Sequence, residues 1–186
     1  MAIEIPNPLS VESQQLLLKI ARNAIECGLN GSVPSKFQIT DAELLQKRGA
    51  FVTLHKAGKL RGCIGYVVSD RLLHQAVADA AVAAATRDPR FKRVTIEEMS
   101  EITLEISALT SLQRLHHIEE LQIGVHGLYI KHQGQSGLLL PQVATEYGWE
   151  RTQFLQQTCR KAGLPLDAWS EPKAELYIFG AQVFGE

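Results

Sequence analysis

A cysteine set among glycines is the feature of this sequence whose residue types and spacing most suggest chemistry. It lies in the hexapeptide Leu60-Arg61-Gly62-Cys63-Ile64-Gly65. In an extended strand Arg61, Cys63 and Gly65 point to one face, so a guanidinium lies about two residues from the thiol and favours its thiolate form. Gly62 and Gly65 carry no side chains, which lets a ligand or another backbone come close. The hexapeptide therefore predicts a site in which Cys63 is a nucleophile or a ligand contact.

Other interpretations of the hexapeptide stay open. Glycines also mark bulges, and free cysteine is among the most buried residue types, so Cys63 could equally be a small core residue. The pattern also matches the bare G-x-x-G of a nucleic-acid clamp. A formal net charge of -1 and the lack of a Lys/Arg block argue against that partner. The sequence contains no P-loop, G-x-G-x-x-G, H-E-x-x-H or G-x-S-x-G motif, which excludes the enzyme classes that those motifs define.

Three polar residues elsewhere are further candidates for a site. Glu105 is expected on the non-core face of a strand, as an acid, a base, an arginine partner or simply a solvated carboxylate. His126 stands between Gly124 and Gly127 at a strand entrance, where it is either an acid/base group or an ordinary turn residue. Lys161 is either a substrate contact or a favourable charge at a helix C-terminus.

The cysteine and histidine patterns predict neither a disulfide framework nor a metal site. Cys27, Cys63 and Cys159 are widely spaced and form no C-x-x-C pair, so reduced thiols are expected. The spacing of the six histidines selects no ligand set. No apolar run approaches the roughly 20 residues that cross a bilayer, and the N-terminus lacks signal-peptide character. These features predict a cytoplasmic protein without membrane contact, and they leave the question of a cofactor open.

The elements that must position these residues indicate an α+β fold. The strands expected from alternating or β-branched residues are 50–55, 60–67, 102–108, 125–132, 138–140 and 175–184. Ser10 and Asp70 are expected to cap helices, Gly28 to end the first helix, and Pro141 to open a later helix that precedes another over 149–162. The turns 56–59 and 133–137 predict hairpins, and the first hairpin carries Cys63 on its return strand.

Two runs of strand, strand, helix and strand follow each other, which suggests two similar lobes. A length of 186 residues favours one compact unit over two independent domains. We therefore expect a single domain over 1–186 with two interwoven lobes of mainly antiparallel sheet and flanking helices.

Five segments taken in order closely resemble the AMMECR-one domain family, and the resemblance runs through nearly the whole chain. They are Gly49-Ala50-Phe51-Val52-Thr53-Leu54, the hexapeptide, Asp88-Pro89-Arg90-Phe91, Leu139-Leu140-Pro141-Gln142-Val143-Ala144 and Lys161-Ala162-Gly163-Leu164. The hexapeptide is the hallmark of that family and is present without a departure. The length resembles the prokaryotic form called AmmeMemoRadiSam system protein A.

The resemblance implies an α+β fold of two packed lobes with the hexapeptide at a cleft. It also implies companions, namely a Memo-like protein of dioxygenase fold and a radical SAM protein, but it implies no reaction. The residues that match the hallmark are Arg61, Gly62, Cys63 and Gly65, and Glu105, His126 and Lys161 lie in other matching segments.

Two hypotheses follow. In the first, the protein is an enzyme or enzyme component that binds a small polar or anionic substrate, with Cys63 as nucleophile or contact, Arg61 as anion clamp, and Glu105 or His126 as acid/base. In the second, it is a non-catalytic adaptor or scaffold whose cleft receives a peptide or a partner protein.

Overall fold

The computed structural model describes residues 8–186, which form two antiparallel four-stranded sheets and four α-helices. The helices are α1 (Val11–Asn30), α2 (Leu73–Thr86), α3 (Pro141–Glu146) and α4 (Arg151–Lys161). The strands are β1 (Ala50–Lys56), β2 (Lys59–Tyr66), β3 (Ile102–Leu109), β4 (Gln113–Arg114), β5 (Gly127–His132), β6 (Gln135–Leu139), β7 (Glu175–Phe179) and β8 (Ala181–Gly185). The predicted α+β class with mainly antiparallel sheet is confirmed.

The chain divides into two compact units. The first contains the described residues up to Leu109 together with 182–186, and the second contains Thr110–Ala181. In the first unit the strand order is β2-β1-β3-β8, and α1 and α2 contribute to its core. Alternating residues such as Val52, Leu54 and Leu104 are fully or almost fully buried there because every second side chain of a strand faces the same side.

The second unit repeats the connectivity of the first. Its strand order, taken from the other edge, is β6-β5-β7-β4, so each unit pairs a hairpin with a third strand that follows a helix. Both hairpins also place a glycine against a helix. Gly62 of β2 lies against the carbonyl oxygen of Ala84 in α2, and Gly137 of β6 lies against the backbone of Ala162, the residue that ends α4. The repeat of strand, strand, helix and strand that the sequence suggested is therefore a repeat of topology.

Two predicted helix signals are wrong in detail. Helix α1 begins after Ser10, whose Oγ accepts the amide of Ser13 as predicted, but it does not end at Gly28. It ends at Gly31, which adopts the left-handed conformation that a C-terminal cap requires, while Gly28 faces Val82 of α2. Asp70 caps no helix, because Leu72 pairs with Lys47 and thereby fixes the start of α2 two residues later.

Two predicted strand boundaries also differ from the structure. The predicted strand 175–184 is divided at Gly180, where β7 ends in one sheet and β8 begins in the other. The Gly180 amide donates a hydrogen bond to Thr110 Oγ1 at this change of sheet. The second hairpin turn is only Gln133-Gly134 rather than 133–137, because both residues adopt positive φ and complete a two-residue turn. Strand β4 has two residues, which is too short to give a periodic signal.

Substitutions can test the turn of the hairpin that carries Cys63. Ala57 and Gly58 connect β1 to β2 with φ of 50° and 72°, the conformation of a type I′ turn. Alanine is strained there because its Cβ crowds the following carbonyl oxygen. We expect Ala57→Asn to raise the free energy of unfolding by about 0.5–1 kcal/mol in urea titration. Gly58→Ala is the matched control and should lower it; stabilisation by both substitutions would contradict this account of the turn.

Candidate functional site

Cys63 lies on the face of the first sheet that points away from the buried core. Register pairs Thr53 of β1 with Cys63 of β2 on one side and with Glu105 of β3 on the other. The three side chains therefore form a row across neighbouring strands, and strand spacing places the Cα atoms of Cys63 and Glu105 about 10 Å apart. The Thr53 hydroxyl donates a hydrogen bond to the Cys63 sulfur at 3.3 Å. The sheet thus brings Cys63 and Glu105, two predicted site residues, onto one row with Thr53 between them.

The neighbouring glycines explain why the thiol points outward. A methyl group on Gly62 would overlap the carbonyl oxygen of Ala84, so α2 packs directly on the β2 backbone at this position. On the other face, a methyl group on Gly65 would overlap the ring of Phe51. Both glycines are therefore required by packing, and Cys63 lies half-buried outside the apolar core. The interpretation of Cys63 as a core residue does not fit this position.

The backbone of Cys63 is held by two charged side chains. Its amide donates to Asp88 Oδ2 at 2.9 Å, and its carbonyl accepts from Arg90 Nη2 at 3.3 Å. Arg90 also donates to both oxygens of Asp88, at 3.0 and 2.7 Å. The Arg90 hydrogen bonds, together with the Cys63 amide, hold the pKa of the Asp88 carboxyl well below its usual range although burial opposes this. The pair thus fixes Cys63 at the free edge of the sheet, where a neighbouring strand would otherwise bind.

Arg61 is engaged by protein groups rather than directed at open space. Its Nε and Nη2 donate to the two carboxylate oxygens of Glu98 at 3.2 and 3.0 Å, and its Nη1 donates to the carbonyl of Lys92 at 2.9 Å. Arg61 is the largest cause that lowers the pKa of Glu98 to about 2. The register shifts at this point, so Arg61 occupies a bulge in β2. All three guanidinium nitrogens of Arg61 have protein partners and only 17% of its side chain is exposed, so none of them is free to bind an anion.

Arg90 is the cation that remains accessible beside Cys63. About half of its side chain is exposed (53%), whereas the Asp88 side chain is 2% exposed. Its guanidinium also lies over the ring of Phe91, at 5.5 Å from the centroid. The negative partner is therefore inside the protein, and the positive partner lies at the surface beside the thiol.

The remaining two predicted residues belong to the second unit. His126 Nδ1 accepts the amide of Gln122 at 3.3 Å, and burial lowers the pKa of the imidazole, which favours its neutral form. Lys161 is exposed at the C-terminal end of α4. Arg61, Gly62, Cys63, Gly65 and Glu105 all lie in the first unit.

Sequence reasoning missed four residues around Cys63: Thr53, Asp88, Arg90 and Glu98. Asp88 and Arg90 lie in one of the five matching segments, where Asp88-Pro89 is also typical of the end of a helix, and neither feature indicates contact with Cys63. The two-residue turn Ala57-Gly58 by itself would place Thr53 opposite Gly62, and only the bulge at Arg61 shifts the register so that Thr53 lies opposite Cys63. Glu98 closes Thr95-Ile96-Glu97-Glu98, which has the Thr-x-x-Glu form of a capping box, and its carboxylate does accept the Thr95 amide at 3.0 Å. That pattern gives no indication of the ion pair with Arg61.

Among residues 8–186 no three histidine, cysteine, aspartate or glutamate side chains lie in an arrangement that could hold a metal ion. Over the same residues no helix combines the length and the apolar character that a membrane span requires.

The sequence and the fold are similar to those of known proteins over almost their whole length. Residues 18–184 match the AMMECR1 family. A protein of Methanothermobacter thermautotrophicus is 45% identical over 96% of this chain and 97% of its own, and a protein of Methanocella arvoryzae is 45% identical over 96% and 93%. The crystal structure of the uncharacterised protein PH0010 from Pyrococcus horikoshii superposes with a TM-score of 0.84 at 38% identity, covering 92% of this chain and 90% of that one. The chain belongs to the AMMECR1 family.

Proposed function

We propose that the outer face around Cys63 is the site at which this protein, as an enzyme or a component of one, binds a small polar or anionic substrate. The observation that carries the proposal is the fixed thiol: Cys63 is half-buried on the outer face of the sheet, and Asp88 and Arg90 hold its backbone. Rigid elements position reactive groups more precisely than loops do. A thiol held in this way is suited to a nucleophile or a close substrate contact.

The exposure and the partners of each neighbouring side chain suggest its role in this proposal. Arg90 is the group that meets the anionic part of the substrate, because its charge is exposed and that of Asp88 is buried. Arg61 supports the site through Glu98 instead of clamping the anion itself. Glu105 is the acid/base candidate on the same row as Cys63. His126 and Lys161 stay sequence-based candidates for acid/base and substrate contact.

The proposal is tested by alkylating Cys63 with a neutral and an anionic reagent. In both reactions the sulfur forms a bond to carbon and iodide leaves, so iodoacetamide and iodoacetate differ mainly in charge. We expect the ratio of the iodoacetate rate to the iodoacetamide rate to be about threefold higher at Cys63 than at glutathione, because a nearby cation attracts the anion. Peptide mass spectrometry separates Cys63 from Cys27 and Cys159.

Variants then assign the effect to Arg90. Arg90→Gln should return the rate ratio to the glutathione value, Arg90→Lys should keep most of it, and Arg71→Gln, a matched loss of one exposed arginine, should leave it unchanged. Thr53→Val should slow both reagents about threefold, as expected for one lost hydrogen bond to sulfur. A Cys63 that reacts like glutathione with both reagents, and that does not respond to Arg90→Gln, would refute the proposed anion site.

The structural roles of the residues in the hexapeptide support a second function. Gly62 and Gly65 are needed for packing and Arg61 for its ion pair, so three of the four matching positions have reasons that require no reaction. This supports a non-catalytic adaptor or scaffold of the AmmeMemoRadiSam type, working in the cytoplasm with a Memo-like protein and a radical SAM protein. Under this alternative Cys63→Ser keeps function, whereas an enzyme that uses the thiol loses it; complementation of a deletion strain distinguishes the two.

A further inference from the structure

Strand β2 is the edge of its sheet and has one position where its backbone is open. Cys63 and Thr53 form a pair without mutual backbone hydrogen bonds, because the Cys63 amide turns outward to Asp88. The register is unbroken between Cys63 and Gly65, so the pair of Gly65 with Phe51 also lacks mutual backbone hydrogen bonds. The N–H and C=O of Gly65 therefore point outward from the sheet as well. Neither group has a hydrogen-bond partner among residues 8–186. An open edge of this kind is a template for an added strand.

A groove of about 370 Å³ adjoins this open edge. It lies between the end of β2, the loop that follows it and the flank of α2. Tyr66, Val68, Asp70, Arg71, Asp79 and Arg87 contribute to its lining. Arg71 and Asp79 form an ion pair with each other, whereas Arg87 is exposed and has no ion-pair partner in the part of the chain that the structure describes. The groove therefore offers an unneutralised guanidinium beside an unpaired strand edge.

We propose that this groove and the Gly65 edge bind the C-terminal end of an extended peptide from a partner protein. The peptide backbone pairs with the N–H and C=O of Gly65, as in strand addition to a sheet edge. Its terminal carboxylate meets Arg87, since guanidinium and carboxylate are matched in charge and geometry. Successive side chains of a strand point to opposite faces, so one enters the groove beside Tyr66 and the next faces the side that carries Cys63.

The position of β2 that Asp88 and Arg90 cover explains why the ligand should be a chain end and not an internal segment. Asp88 and Arg90 occupy the backbone groups of Cys63, two residues before Gly65, so an added strand cannot continue past that point. Arg87 and Tyr66, the residue after Gly65, line the same groove, so the charge of Arg87 lies beside the part of the edge that the added strand would use. The unpaired carboxylate of Asp70 in the same groove disfavours further acidic groups.

The proposal does not rest on a reaction at Cys63, and peptide binding is measured without one. The probe is a pool of random hexapeptides with free C-termini, selected on the immobilised full-length chain and identified by mass spectrometry. The best binder is then made as the free acid and as the C-terminal amide. Few contacts are available, so we expect a Kd on the order of 10–100 µM for the acid and at least tenfold weaker binding for the amide.

Backbone resonances locate the binding site. In the ¹⁵N-labelled full chain, the acid peptide should shift the amide signals of Gly65, Tyr66 and Val68 and slow hydrogen exchange at Gly65. Arg87→Gln should weaken binding of the acid peptide at least tenfold and leave binding of the amide peptide unchanged. The effects of this substitution and of C-terminal amidation on the affinity are then not additive. Arg160→Gln, an exposed arginine on α4, is the matched control and should have no effect.

Four outcomes would overturn the proposal. They are the absence of any peptide that binds below about 1 mM, signal changes that avoid Gly65, equal binding of the acid and the amide, and indifference to Arg87→Gln. Protection of the Gly65 amide that rises with protein concentration in the absence of peptide, together with a dimer in analytical ultracentrifugation, would instead assign the edge to a second copy of this chain.

Discussion

Replacing Gly62 by alanine is expected to lower the free energy of unfolding by about 3 kcal/mol, the upper end of the usual cost of overpacking. The added methyl group would overlap the carbonyl oxygen of Ala84, and neither backbone can give way because α2 lies in the buried core and β2 is paired with β1 along its length. The loss should appear in urea titration as a lower midpoint with an unchanged slope.

Two other glycines make the test specific. Gly28→Ala adds a methyl group to α1 at 3.3 Å from Cγ1 of Val82 in α2. A shift of a few tenths of an ångström relieves this contact and alanine also favours the helix, so little or no loss is expected. Gly137→Ala adds one 2.6 Å from the backbone nitrogen of Ala162 in the second unit and should be costly like Gly62→Ala. If Gly62→Ala were as stable as Gly28→Ala, the close contact between β2 and α2 could not be what directs Cys63 outward.

Asp88→Asn is expected to lower the free energy of unfolding by about 2 kcal/mol at pH 7, within the range for hydrogen-bond donors that lose a buried charged acceptor. Asparagine keeps one carbonyl oxygen, so it cannot accept both the Cys63 amide and the two Arg90 donors that the carboxylate accepts. The substitution should also release the edge of β2, and faster hydrogen exchange of the Cys63 amide would report this directly.

The same carboxylate predicts the acid sensitivity of the protein. Hydrogen bonds from Arg90 lower the pKa of Asp88 in the folded state, and Arg61 lowers that of Glu98 to about 2. Groups with a depressed folded-state pKa contribute their full stability above the unfolded value of about 4 and lose it as the pH falls through the folded value. We therefore expect the free energy of unfolding to decrease from about pH 4 downward.

The Asp88→Asn variant should show a shallower decrease over that range, because one of the two responsible carboxylates is absent. Glu119→Gln removes an exposed carboxylate that forms no ion pair in the described part of the chain, and it should leave the acid branch unchanged. Acid branches of equal slope in the wild type and Asp88→Asn would mean that Asp88 is not the group that holds the Cys63 backbone.

Together these expectations describe how the thiol is presented. Gly62 lets α2 approach one face of β2, which leaves Cys63 on the other, and Asp88 with Arg90 then fixes its backbone at the sheet edge. A substrate anion or a peptide terminus would meet a site whose geometry is set before it binds, and preorganisation of that kind reduces the entropic cost of binding.

Local patterns were sufficient for much of this fold. Strict alternation from Ile102 to Ala108 predicted β3 with its correct buried face, since every second residue of a strand faces the same side. Pro141 predicted the start of α3, because proline fits the first helical position. The resemblance carried by the five segments predicted the family, which the match over residues 18–184 confirms. The sequence also identified Cys63 as the residue that most strongly indicates a site.

Only the tertiary structure decided which groups surround that cysteine. Asp88 is 25 positions from Cys63 in sequence, and Glu98 is 37 from Arg61, so neither contact follows from a local period. Both contacts form because α2 packs back on β2 and carries the following loop to the sheet edge. That packing pairs Arg61 with Glu98 and leaves Arg90 exposed, and no pattern of residue types contains either result.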